Sequence, residues 1–192
     1  MKKLYIILFT LQFCICSCAG QKVIIDRNNN GVRRISTSST TIYFAQYFDL
    51  YLDRFSDGQK VEYYLRGQSS HGNKYHHIPE NGKILIRLMN DEIIELTSCY
   101  SELVKVSDTA RVPIAYYPIT ESQLLSLFTG IKKIRVELLT LNEDDETVFT
   151  EYVDKEYKKD KLGRVIKEMY DAISVLLSNE KAAASKDIHD GF

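Results

Sequence analysis

Residues 83–98 read KILIRLMNDEIIELTS. Ile84, Ile86 and Leu88 alternate with other residues, Asn90-Asp91 turns the chain, and Ile94 and Leu96 resume the alternation on the way back. Period-two patterning on both sides of a turn-forming pair predicts an antiparallel hairpin with one buried face.

Upstream, Val23 to Asp26 and Val32 to Ser36 are short β-branched runs joined by RNNNG. Asn-Gly between apolar runs is a strong hairpin signal. DRNNNG at 26–31 also carries the alternating oxygen side chains and glycine that open an EF-hand loop. The twelfth loop position, where calcium needs a bidentate carboxylate, is Thr37, and Asp26 is the one acid in the stretch, so a turn is the better reading.

Residues 40–55, TTIYFAQYFDLYLDRF, fit two periods. Tyr43, Tyr47, Tyr51 and Phe55 recur every fourth residue, whereas Ile42, Phe44, Phe48, Leu50 and Leu52 share one parity. The aromatic and β-branched content, the Ser-Asp-Gly turn at 56–58 and the KVEYYL that follows favour a strand pair. Tyr43, Tyr47 and Tyr51, with Tyr63 nearby, then form a candidate binding face, although cross-strand packing explains the same rings.

Residues 68–82, QSSHGNKYHHIPENG, read as a polar loop. Val104 to Tyr117 supplies one or two strands, in which Pro113 suggests an edge or a bulge. The period then changes. Thr120 to Gln123 form a capping box, Leu124, Leu125, Leu127 and Phe128 share a helical face, and Gly130 fits the C′ position, which predicts a helix of about ten residues. IKKIRVELL returns to alternation, with Ile134, Val136 and Leu138 inward, and TVFTEYVDKEYKK continues as a strand. Asp160 can cap a last helix whose stripe is Leu162, Val165, Ile166, Met169, Ile173, Leu176 and Leu177.

These elements predict an α+β fold: mainly antiparallel β-sheet, sandwich- or barrel-like, with a short inserted helix and a C-terminal amphipathic helix. Residues 22–178 form one domain, and 179–192 have no packing face and read as a flexible tail.

The first residues, MKKLYIILFTLQFCICSCAGQK, are two lysines, an apolar run and then small residues. That is the plan of a secretory signal, because the run falls short of the roughly 20 residues a resident membrane helix needs. Two cleavages are open. Ser17-Cys18-Ala19 suits an ordinary signal peptidase, while Ile15-Cys16-Ser17-Cys18 resembles a bacterial lipobox, which implies removal of 1–17 and acylation of Cys18. Export without an intrachain disulfide follows either way, since only Cys99 is then left free. Removing Lys2 and Lys3 leaves 23 basic against 26 acidic residues, and no basic stripe marks a nucleic-acid binder.

IPENGKILIRLMNDEIIEL, YYPITESQLLSLFTGIKKIRVELL and KEYKKDKLGRVIKEMY, between Ile78 and about Lys167, resemble a family of uncharacterised exported proteins of Gram-negative gut-type bacteria. The resemblance implies a shared fold and an envelope location, either outer-membrane lipoprotein or periplasmic. It brings no catalytic residue.

Candidate chemistry is sparse. His71, His76 and His77 cluster in SSHGNKYHH, but His76 and His77 point to opposite sides of an extended chain, so solvated loop histidines are the simpler reading and no metal or other cofactor is expected. Cys99 would need a lowered pKa and a nearby histidine to act as a nucleophile. The acids Glu143 to Glu146 read as a solvated loop, and Asp49 and Asp53 share a face among tyrosines, as in a sugar cleft. The expected function is a lipid-anchored envelope interaction module, with an envelope protein or a glycan as partner. The competing expectation is a small envelope hydrolase using Cys99 or the histidine loop.

Overall fold

Alternating β-branched and aromatic residues, separated by turns that need asparagine or glycine, commit most of the chain to extended structure. The structure is a computed structural model and describes residues 20–43, 47–69, 76–105, 111–141 and 148–190. In chain order the described elements are β1 (Val23–Asn29), β2 (Val32–Thr37), β3 (Thr40–Tyr43), β4 (Tyr47–Ser56), β5 (Val61–Ser69) and β6 (His76–His77). There follow β7 (Lys83–Leu88), β8 (Ile93–Thr97), β9 (Tyr100–Lys105), β10 (Arg111–Ile119), α1 (Glu121–Leu127), β11 (Ile131–Leu141), β12 (Val148–Glu156) and α2 (Leu162–Asp190).

Two antiparallel sheets result, curled into a half-barrel. The larger runs β1-β2-β4-β5-β10-β9, with β3 also on β4. The smaller runs β12-β11-β7-β8, with β6 also on β11. The hairpin expected at 83–98 forms with Ile84 opposite Leu96 and Ile86 opposite Ile94. All four are buried, while Ile93 is 62% exposed on the other face. The RNNNG turn is likewise a turn: Asn30 and Gly31 take φ 52° and 82°, the left-handed pair that a two-residue hairpin requires.

One core fills the space between the sheets and the helices. Leu50, Leu52, Leu65 and Tyr117 come from the larger sheet, and Ile84, Ile86, Ile134 and Val136 from the smaller. Helix α2 contributes Leu162, Ile166, Met169 and Ile173, at spacings of four, three and four, and packs against β1, β2, β4 and α1. Each such side chain stabilises the fold by about 1.5–3 kcal/mol.

The helix termini follow their caps. Thr120 Oγ1 accepts from the Gln123 amide at 3.2 Å and Gln123 Oε1 accepts from the Thr120 amide at 3.0 Å, completing the capping box. Helix α1 is shorter than expected, seven residues, because it ends at the C-cap Phe128. Gly130, at φ 117°, therefore lies one position beyond C′. Asp160 Oδ1 accepts from the Gly163 amide at 3.1 Å, as a cap for α2 should.

Two further details differ from the sequence reading. Pro113 lies in an interior strand, yet the β5 ladder begins only at Ile114, so at Pro113 the strand is locally an edge. Residues 179–190, expected as a tail, continue α2 to Asp190, with Asn179 to Ala183 exposed. Arg33 holds that extension by donating to both oxygens of Glu180, at 2.7 and 2.5 Å. No helix among the described residues is long and apolar enough to cross a membrane.

Candidate functional site

Alternation sends every second residue of the larger sheet away from the core. On β2 these are Arg34 and Ser36; on β4, Tyr51, Asp53 and Phe55; on β5, Glu62, Tyr64, Arg66 and Gln68. Cross-strand register places Arg34 opposite Phe55, Ser36 opposite Asp53, and Tyr51 opposite Arg66. Tyr116 on β10 lies between Arg66 on one side and Tyr100 of β9 on the other.

An ionic cluster anchors this face. Asp53 is fully buried, and its carboxylate accepts from Arg34 Nη2 at 2.6 Å, from Arg66 Nε at 3.1 Å and from the Ser36 hydroxyl. Arg66 also donates to Gln68 Oε1 at 3.1 Å and to Ser36 Oγ at 3.3 Å. One buried carboxylate thus holds two guanidiniums, whose planes are then free to meet rings. The Arg66 guanidinium lies 3.6 Å from the Tyr51 ring centroid. That of Arg34 lies 5.5 Å from Phe55 and 5.7 Å from Tyr116, which is three strands along the sheet.

Beside the cluster runs an aromatic groove of about 300 Å3. Its rings form a chain: Phe55 to Tyr64 at 5.4 Å and 87°, Tyr64 to Tyr116 at 6.3 Å and 82°, Tyr116 to Tyr100 at 6.2 Å and 45°. Val32, Cys99 and Glu62 complete the lining. Tyr100 and Val32 are 52% and 41% exposed, so apolar surface stands open to solvent here. A second cleft of about 430 Å3 adjoins it, sharing Glu62 and Tyr64 and extending past Pro118 to Thr120 and Glu121.

The tyrosine hydroxyls of the groove are already engaged. Tyr64 donates to Glu62 at 3.2 Å and Tyr100 to Glu102 at 3.0 Å. Both phenols titrate above their ordinary value, Tyr64 through burial and then the Glu62 charge, Tyr100 through its bond to Glu102. Lys60 holds the Glu62 carboxyl below the usual range by a direct hydrogen bond, so Glu62 is charged at neutral pH.

The face expected from the sequence does not assemble as four rings. Tyr51 points outward, and Arg66 covers its ring. Tyr63 points to the opposite side and packs on Tyr170 of α2 at 5.8 Å. Tyr43 of β3 pairs with Tyr47 of β4, and their side chains lie outside the described ones. Asp53 is no solvent acid, and Asp49 accepts from the Thr41 hydroxyl at 2.6 Å.

The other candidates are dispersed. Cys99 is exposed in the groove, with its thiol 3.5 Å from the Tyr116 carbonyl. His76 and His77 pair with Thr140 and Leu139 on the smaller sheet. Cys18, His71 and the acids 143–146 lie outside the described residues. Among the described residues no group of three or more His, Cys, Asp and Glu could hold a metal.

Sequence reasoning missed Phe55, Tyr64, Tyr100 and Tyr116 as a set. The usable signal was the doublets Tyr63-Tyr64 and Tyr116-Tyr117, because a strand must send one ring of each doublet outward. Comparison of the chain with family models, with curated proteins and with solved structures gives no match. The functional reading therefore rests on the groove.

Proposed function

We propose that this chain is an exported cell-envelope protein, anchored by lipid at Cys18, that works as a non-catalytic interaction module through the aromatic groove. The observation that carries the binding role is the open chain of rings from Phe55 to Tyr100 on the face turned away from the core. Rigid rings supply large contact area at small entropic cost, which is why aromatic residues dominate binding hot spots. The anchor is supported by the apolar run from Leu4 to Cys16 with Ser17-Cys18 directly after it.

Two measurements test this. The intact mass of the mature protein from its own envelope, beside a Cys18→Ala variant, should show a chain starting at Cys18 with acyl groups. A start at Gly20 or Gln21 without lipid removes the anchor. For the groove, a photo-activatable residue placed at Tyr100 should cross-link a discrete envelope component, whereas one at the more exposed Ile93 should not. Equal adducts from both positions would refute the groove as the binding face.

A further inference from the structure

We infer that the partner of this groove is an extended, proline-rich peptide segment carrying a basic side chain, an inference that rests on the groove being the binding face. Ring geometry is the first argument. Phe55, Tyr64 and Tyr116 meet edge to face, at 87° and 82°, so their faces turn in different directions and the set offers no flat, coplanar platform. A sugar ring stacks on a flat platform and needs donors and acceptors for its hydroxyls. Here the Tyr64 and Tyr100 hydroxyls are spent on Glu62 and Glu102. An apolar groove lined by rings suits pyrrolidine rings and aliphatic side chains, and a polyproline II segment docks on it with little ordering cost.

Charge is the second argument. Glu102 stands at one end of the path, Glu62 at the junction of the two clefts, and Glu121, whose carboxylate accepts from the Tyr170 hydroxyl at 2.6 Å, at the far end. Against them, Arg34 and Arg66 share the buried Asp53, and Lys60 meets Glu62 at 2.5 Å. The Lys60 side chain is 71% exposed, so its ion pair is weak and open to exchange with a partner's cation. An anionic chain would meet carboxylates at both ends, whereas a basic residue finds one beside the rings. The segment then runs from Tyr100 over Tyr64 toward Glu121.

The mature protein provides its own reporter, because Cys99 lines the groove. The test titrates the blocked synthetic peptide APPLPPRA while Cys99 alkylation by a maleimide is timed. Saturable binding with slowed alkylation is expected. The charge-reversed APPLPPEA should bind about tenfold more weakly, and AGGLGGRA should not protect. Tyr100→Ala, at a half-exposed position, should fold normally and lose APPLPPRA binding. Binding that is unchanged in Tyr100→Ala would overturn the proposal.

Protection by a neutral oligosaccharide such as a chitin hexamer, without protection by the peptide, would overturn the partner class and keep the groove. Protection by neither, together with no selective cross-link at Tyr100, would overturn both readings.

Discussion

Arg34 reaches from β2 to set its Nη2 2.6 Å from Asp53, a carboxylate with no solvent exposure. That contact connects the packing of the sheet to its aromatic face, since the same guanidinium lies against Phe55 and Tyr116. Removing one member of such a cluster leaves buried charge without compensation. Asp53→Ala should lower the unfolding free energy by about 3–5 kcal/mol, read by urea denaturation. Replacing Asp53 and Arg66 together by apolar residues should cost less than Asp53→Ala alone. A double variant as unstable as the sum of the singles would show that the pair does not act as a unit.

Tyr117 presents the opposite case. Its side chain is fully buried, and its hydroxyl has no hydrogen-bond partner among the described residues. Burial also drives its phenol far above the ordinary value. Tyr117→Phe removes an unsatisfied polar group while keeping the ring, so stability should rise by about 1 kcal/mol or more. A loss of stability on chemical denaturation would mean that the hydroxyl has a partner, such as a buried water.

These two residues mark what the sequence could and could not tell. Alternation in 83–98 and 131–139, the Asn-Gly turn and the capping box are local signals, and the folded chain keeps all of them. Asp53 and Tyr64 depend instead on which strands become neighbours. Asp53 resembles any outward acid until Ser36, Arg34 and Arg66 come from other strands to cover it. Likewise Tyr51 and Tyr63 look alike in sequence, yet Tyr51 pairs across from Arg66 and Tyr63 across from Arg54, which puts them on opposite faces. Register of this kind is fixed by long-range pairing.

Gly67 sits in the interior of β5 because Phe48 needs the space. A Cβ at position 67 would collide with the Phe48 ring, whose Cζ, Cε1 and Cε2 are the nearest atoms. Gly67→Ala should therefore destabilise by about 1–3 kcal/mol, as overpacking does. Adding Phe48→Leu should recover part of that loss, since it removes the clashing ring edge. Thermal melts of the single and double variants decide this: no recovery would locate the strain elsewhere.

Acid sensitivity should be modest and of one sign at Asp154. Arg135 donates to both of its oxygens, at 2.6 and 2.9 Å, and Lys133 approaches to 2.7 Å. Together they hold the carboxyl well below its ordinary value of 3.8, with the Arg135 hydrogen bond the largest cause. A carboxyl depressed by folding contributes stability above its unfolded pKa and loses it as the pH falls through the folded one. Asp154→Asn should thus be less stable than the parent at pH 7, by no more than about 1 kcal/mol because all three side chains are part exposed. Below pH 3.8 the difference should shrink steadily as the parent's carboxyl protonates. Denaturation curves of both proteins across that window test the sign: a gap that widens in acid would mean that Asp154 is destabilised by its surroundings.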